Sequence, residues 1–402
     1  MTSILAQGAL ILALAVPQAG ARTLSSPALV PVPAGSTFCM SSAVVDADRD
    51  LALVKDASEL NNAKQGHADA NITLASQVAL ALASRASVST ARGVKLTKTT
   101  SPIKTSYVGQ VIEGLDVWVE NGNAIQINHD NVIVRNVRVH HKTGDGINVT
   151  DAKGVKIDHV EIINMDPPRG FNGESDTSII NIEGFNASNL TITNTTVRDG
   201  ASGIYIQQSP NVVVDHVDGY NFHGGFPRGQ FVQIGNNSDG SKLSGFYTKS
   251  DLYNSRTEDN INVYHSNNVT IENGVVDGNN SPSGVGVLFE GDSGGGIVRN
   301  VDVVRQSNGG FSSYSANVDF FDVRVFDGYN TDIGRGKAMS NGLSFASMAS
   351  GVGYDDATYT RPANSGNIFW GSHAAEFLDI RQDAAAVAMD HSQWVHKWNW
   401  II

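Results

Sequence analysis

A parallel β-solenoid is the fold class this sequence predicts, and three observations predict it. From about Gly122 the chain alternates apolar and polar residues in short runs, such as "AIQIN" and "NVIVRNVRV", without the three-and-four spacing of a helix. A phrase of two such runs and a turn then recurs: "DGINVTDAKGVKIDHVEI" from Asp145, "SGIYIQQSPNVVVDHVDG" from Ser202 and "DNINVYHSNNVTIENGVV" from Asp259. Aligned on its first strand, the phrase places inward apolar pairs at Ile125/Ile127, Ile147/Val149, Ile180/Ile182, Ile204/Ile206, Val232/Ile234, Ile261/Val263 and Val285/Val287. A degenerate copy lies near Phe311, and the step is roughly 27 residues. Strands this short cannot bury a face alone, so each turn of chain must stack on the next and pair with it in parallel.

The totals agree. Forty-one glycines against 11 prolines, with no collagen-like period, imply many turns, and 41% hydrophobic residues supply a core. A net charge of −12 makes nucleic acid or an anionic membrane surface a poor partner for the chain as a whole, so no nucleic-acid partner is expected. A local arginine cluster still permits an acidic polysaccharide. The single Cys39 forms no internal disulfide, and no Cys/His cluster has zinc spacing.

Along the chain, residues 1–21 hold a short apolar run followed by Ala-Gly-Ala, a secretory signal pattern that lacks the usual basic start. The expected location is therefore secreted, extracellular or periplasmic, with no membrane-inserted segment. Residues 22–120 read as a leader and N-terminal cap, with one or two helices between Ala57 and Ala86. Residues 121–330 form the solenoid, and residues 331–402 an irregular C-terminal cap whose tryptophans bury apolar surface or, alternatively, stack on sugars.

An Asn precedes the second strand at Asn131, Asn189, Asn211, Asn268 and Asn317, which predicts a structural ladder of side-chain amides between coils. With the "GIxV…NVxIxNVxI" phrase, this resembles the right-handed parallel β-helix superfamily of pectate lyases, polygalacturonases and alginate epimerases, over residues 121–330. The resemblance implies an all-β, right-handed parallel β-helix. It does not name a function, since the scaffold carries many.

The outward residues of the first strands are expected to be Gln126, Asn148, Asn181, Tyr205, Gln233, Asn262 and Gly286. A row of amides and one Tyr, at about 4.8 Å per coil, suits a strip of sugar hydroxyls. Long loops bring Arg169, Glu174 and Asp176, then His223 and Arg228, then Arg256, Glu258 and Asp259 towards that row. Glu183, Gln208, Asn236, His265 and Glu290 lie on its other edge.

Such a set predicts an enzyme acting on an acidic, uronate-containing polysaccharide by β-elimination. Arg228 and Arg256 would neutralise the uronate, and His223 or Tyr205 would take the C5 proton. Asn181, Gln233, Asn262, Arg169 and His265 would bind substrate, with Asp259 as a further catalytic candidate. A non-catalytic glycan-binding protein, a glycoside hydrolase and a C5-epimerase are the alternatives. Against hydrolysis, the similarly placed Asp145 and Asp259 stand four coils apart, about 19 Å, beyond any hydrolytic pair.

Asp158-His159 has the look of a pectate lyase motif. It recurs in register as Asp215-His216, which marks it as scaffold. No cofactor follows from the residues. The resemblance admits Ca2+, for which Glu290 and Asp292 are the best place and a poor one. Both a monomer and a homotrimer fit the scaffold.

Overall fold

The computed structural model describes residues 93–167, 179–224, 228–252, 255, 257–279, 284–306, 308–326, 343–360 and 368–402. The expected signal segment and helical N-terminal cap lie outside the described residues, as do Arg169, Glu174, Asp176 and Arg256.

Each coil of chain lays down one short strand and one longer one, and the coils stack in parallel throughout. Among the described residues, the longer strands form a 12-stranded sheet running from Thr97–Thr99 to Leu378–Gln382. The short strands form an 11-stranded sheet from Ile103–Lys104 to Phe369–Gly371. The result is an all-β, right-handed parallel solenoid. Its interior is a column of fully buried Val, Ile and Phe contributed by every coil, each worth about 1.5–3 kcal/mol by transfer from water.

Paired strands begin before residue 121 and continue past residue 330. The late coils were hidden because aromatic rings replace the β-branched pairs there. Phe345 stacks on Phe311 at 6.1 Å and Tyr354 on Phe320 at 4.7 Å.

Two columns of left-handed backbone shape each coil. The first contains all five predicted asparagines, with φ between 56° and 58°, and Gly109, Gly154, Gly240, Gly295 and Gly351 occupy it on the other coils. Asn and Gly share the column because they tolerate this conformation best. The coils are joined there through the backbone, for example from Asn131 N–H to Lys153 C=O at 2.8 Å and from Asn268 N–H to Gly294 C=O at 2.9 Å. The ladder thus works by conformation more than by side-chain amides. The second column bends the longer strands and includes Asn136, His159, Asn194, His216 and Asn273. This explains why Asp-His recurs: His159 and His216 are bend residues on the sheet remote from the short strands.

Register departs from the sequence alignment at two places. Ile182, not Ile180, pairs with Ile147, so Glu183 replaces Asn181 in the outward row. Gly184 then fills the next inward position, where a Cβ would lie 3.0 Å from both Ile206 and Leu190. A glycine at an inward position erases the signal that fixes register. Likewise Val287 pairs with Ile261, making Leu288 outward instead of Gly286. Val285, Val287 and Phe289 are all apolar, so alternation alone cannot choose between the two registers.

Residues 389–401 run back along the face of the 12-stranded sheet as a strap, meeting successive coils. Met389 N–H donates to Asp302, His396 to Asp218 at 2.7 Å, Trp398 Nε1 to Thr196 at 2.9 Å and Trp400 Nε1 to Glu161 at 2.8 Å. Trp400–Ile401 finally pairs in parallel with Val94–Lys95. Trp394 is buried against Tyr247 and Val275, so apolar burial is correct for this ring while its place is the flank.

Candidate functional site

The outward row of the 11-stranded sheet runs Gln126, Asn148, Glu183, Tyr205, Gln233, Asn262, Leu288, Ser312. A second outward row, two residues further along each strand, contains Thr150, Phe185, Gln207, Gly235, Tyr264 and Glu290. On this face stand two carboxylate clusters built from the same local sequence.

The first cluster comes from Thr143–Thr150, "TGDGINVT". Asn148 Nδ2 donates to Asp145 at 2.8 Å and to Glu183, on the next coil, at 2.6 Å. Its Oδ1 accepts from Gln126 Nε2 at 2.8 Å and from the Thr150 hydroxyl at 2.6 Å. Gln126 Oε1 accepts in turn from Asn123 at 2.8 Å, and Asp145 also accepts the Ile180 N–H. Burial, with Glu183 adding to it, pushes the Asp145 carboxyl up to about 7. Both oxygens and nitrogens of the central amides have protein partners, so the cluster is closed on itself.

The second cluster comes from Thr257–Tyr264, "TEDNINVY". Asn262 Nδ2 again donates to two carboxylates, Asp259 at 3.1 Å and Glu290 at 2.9 Å. The two acceptor oxygens are therefore at most about 6 Å apart. Asp259 also accepts the Val285 N–H at 2.8 Å. Glu258 adds a third carboxyl and accepts from Gln230 Nε2 at 3.1 Å. Burial, then repulsion from Glu290, pushes Glu258 up to about 7; burial, then Glu258, raises Asp259 well above the usual carboxylate range. Here the amide oxygens of Asn262 and of Gln233, its neighbour in register, have no donor. Tyr264 stands where the first cluster has Thr150. On the coil beyond Glu290, Tyr314 is 52% exposed, its hydroxyl pKa raised by burial and by the charges of Glu290 and Asp259.

Gln233 and Asn262 thus face outward as the alternation indicated, and Asp259 belongs to the cluster, though buried beneath it. Asn181 does not face the groove. It is 0% exposed, and its Nδ2 lies 3.1 Å from His141 Nε2 and donates to the Arg198 carbonyl inside the corner of the coil. Tyr205 is outward but covered, with the Arg228 guanidinium 4.1 Å over its ring. His223 lies 3.4 Å from Asp199. His265 is a left-handed corner residue, edge-on to Tyr264 at 4.1 Å, and its Nδ1 accepts the Asp292 N–H. Glu290 was named in the sequence as an edge residue of the outward row and as an indifferent calcium ligand. Its partnership with Asp259 is invisible there because it depends on which coil lies above which.

Among the described residues no three acidic or imidazole side chains converge as metal ligands. The carboxyl cluster does not fit Ca2+, because Asn262 turns its N–H groups, not its oxygen, towards Asp259 and Glu290. Glu290 and Asp292 do not converge either: Asp292 is nearly fully exposed beside His265.

No curated protein sequence matches the chain. Several solved structures are similar at low identity. The enzymatically active domain of bacteriophage CBA120 tailspike protein 2 shows 12% identity and a TM-score of 0.46, over 68% of this chain and 43% of its own. The catalytic domain of a GH87 α-1,3-glucanase in complex with nigerose shows 12% identity and a TM-score of 0.43, over 73% of this chain and 63% of its own. An alginate lyase from Paenibacillus sp. str. FPU-7 shows 12% identity and a TM-score of 0.39, over 71% of this chain and 96% of its own. The chain spans less than two thirds of the length of the first two. Residues 90–245 match the family model for a right-handed β-helix region, in agreement with the strand order of the chain itself.

Proposed function

We propose that the chain is a polysaccharide-processing enzyme that breaks glycosidic bonds by carboxyl acid–base chemistry at Glu258 and Glu290. The observation that carries this reading is the Asn262 amide, which holds Asp259 and Glu290 together beside a third carboxyl, Glu258. A glycosidase needs one carboxyl that keeps its proton near neutral pH and a second that works ionised. Glu258, pushed up to about 7, supplies the first. It would protonate the glycosidic oxygen as the bond to the anomeric carbon breaks. Glu290 supplies the partner carboxylate, and buried Asp259 positions the amide between them. Tyr264 and Tyr314, on the coils flanking Glu290, offer ring surface to the apolar faces of sugars. The apolar leader at residues 1–21 supports action outside the cytoplasm.

β-Elimination on a uronate is the second reading, and Arg228 over Tyr205 is the observation that favours it. That arginine would neutralise the carboxylate and stabilise the enolate-like charge at C5. It is the weaker reading because the exposed groups around Asn262 are acids. Purified protein incubated with a panel of neutral, amino and uronate polymers decides between them. Hydrolysis yields reducing ends with no ultraviolet absorbance from unsaturated products. Absorbance rising with the reducing ends would establish a lyase and move the site to Arg228. Silence in both, with retention on an immobilised polymer, would leave a glycan-binding protein and overturn the enzyme reading.

A further inference from the structure

Past the acid cluster the outward face of the 11-stranded sheet turns aromatic. From Asn262 the first row continues through Leu288, Ser312 and Ala346 to Trp370, one residue per coil. In the second row Tyr314 follows Glu290, each two residues beyond its first-row neighbour. Tyr314 is 52% exposed and Trp370 49% exposed. The first row leading to Trp370 holds only the small side chains of Ser312 and Ala346. Neither ring is taken up by a second ring or a cation among the described residues, whereas Tyr220 lies under Arg198 and Trp118 is stacked on His140 at 3.7 Å. The turn after Trp370 is fixed by Ser372 Oγ and His373 Nδ1, which both donate to the Met348 carbonyl, at 3.2 and 3.0 Å. Two large rings are thus held out to solvent at set positions, which marks a ligand-binding surface. Towards the N-terminal coils the first row is occupied instead, Tyr205 by Arg228 and Asn148 with Glu183 by their own circuit.

We infer that Tyr314 and Trp370 form an accessory sugar-binding strip, on which units of a neutral glycan lie face down as the chain runs from Glu290 towards the C-terminal coils. A pyranose gathers C–H bonds on its faces and hydroxyls around its rim, so an exposed ring takes the face and leaves the rim to water. Trp370 stands two coils beyond Tyr314, roughly 10 Å at about 4.8 Å per coil. That separation suits successive units of one extended chain better than a single sugar touching both rings. A uronate would call for a cation to meet each carboxylate. From Leu288 and Glu290 onwards neither outward row carries Lys or Arg on these coils. The loop arginines that pointed to a uronate in the sequence therefore have no counterpart on this side of the site.

The inference rests on the glycosidase reading for the course of the chain past Glu290, and one set of measurements separates their failures. Trp370 offers its own reporter: Trp118 lies on the 12-stranded sheet and Trp394, Trp398 and Trp400 in the strap along it, so Trp370 alone stands on the 11-stranded sheet. Tryptophan emission of the full chain would be titrated with β-1,4-linked hexamers of glucose, mannose and xylose, and with a hexamer of galacturonic acid. At least one neutral hexamer is expected to shift the emission saturably and to bind at least fivefold tighter than the galacturonate. Trp370→Ala should abolish the shift and weaken calorimetric binding of that hexamer at least fivefold, and Trp370→Tyr should abolish the shift while restoring most of the affinity. No shift with any neutral hexamer, tighter binding of the galacturonate, or parental affinity in Trp370→Ala overturns the inference. Cleavage of a neutral hexamer at the parental KM in Trp370→Ala would sink it and leave the glycosidase reading standing. Binding that depends on Trp370 without any bond cleavage would do the reverse.

Discussion

"TGDGINVT" and "TEDNINVY" are the same strand entrance written twice, on coils of one sheet, and they do opposite things. Five of the eight positions are identical, and both place an Asn amide between an Asp and a Glu from the next coil. At Asn148 the other half of the amide is tied down by Gln126 and Thr150. At Asn262 the threonine has become Tyr264, the residue before the aspartate has become Glu258, and Gln233, in the place of Gln126, makes no hydrogen bond to the amide oxygen among the described residues. A motif that serves the solenoid as a polar weld in one coil becomes, by three substitutions, an unsatisfied site with an added acid in another. The contrast teaches that function in a repeat fold is read from where a repeated hydrogen-bond circuit is left incomplete.

Several measurements sharpen or break this comparison. The largest expected effect is on turnover: Glu290→Gln and Glu258→Gln should each lose about 10²–10⁴-fold in rate of reducing-end release. Glu183→Gln, the matching change in the closed cluster, should stay within about twofold. Equal losses at both clusters would erase the distinction.

Stability should follow the opposite order. Asp145→Ala removes bonds to the Ile180 N–H and the Asn148 amide in a buried circuit and should cost about 2–3 kcal/mol in urea unfolding. Asp259→Asn should cost less, because it relieves repulsion from Glu258 and Glu290 while keeping the shape of the side chain.

The pH dependence of stability has a definite sign. Glu258 is raised from 4.5 to about 7, so the fold favours its protonated form; this stability is complete below pH 4.5 and is lost as pH rises through 7. Discounted for partial exposure, Glu258→Gln should remove about 1–2 kcal/mol of that decline in thermal or urea unfolding followed from pH 5 to pH 8. A variant whose decline matches the parent would show that Glu258 titrates normally.

Smallest is Tyr264→Thr, which restores the hydroxyl that closes the first cluster. It should gain about 0.5–1 kcal/mol by satisfying Asn262 Oδ1, and should weaken sugar binding by occupying that oxygen.

Much of this architecture was legible in the sequence because a period-2 pattern repeated about every 27 residues admits few folds. Asn131 and its equivalents marked the turn column, and Asp158-His159 was recognisable as scaffold from its repetition. Register failed where Gly184 left an inward position blank and where Val285, Val287 and Phe289 made two registers equally apolar. Gln233, Asn262 and Asp259 were legible as outward or edge residues. Their chemistry was not, because Glu290 reaches Asn262 diagonally from the next coil, a contact no linear spacing reveals. The spacing set Asp259 against Asp145, four coils away, or Glu258, its neighbour, whereas the Asn262 amide joins it to Glu290 on the next coil.

The most direct test of the account is a crystal structure of Glu258→Gln soaked with a sugar hexamer that the parent protein cleaves. Sugar density across Gln233, Asn262 and Glu290, with a ring against Tyr264 or Tyr314 and a glycosidic oxygen facing residue 258, is the predicted result. Density over Asn148 and Glu183, or away from the 11-stranded sheet altogether, would contradict the claim that the incomplete circuit is the site.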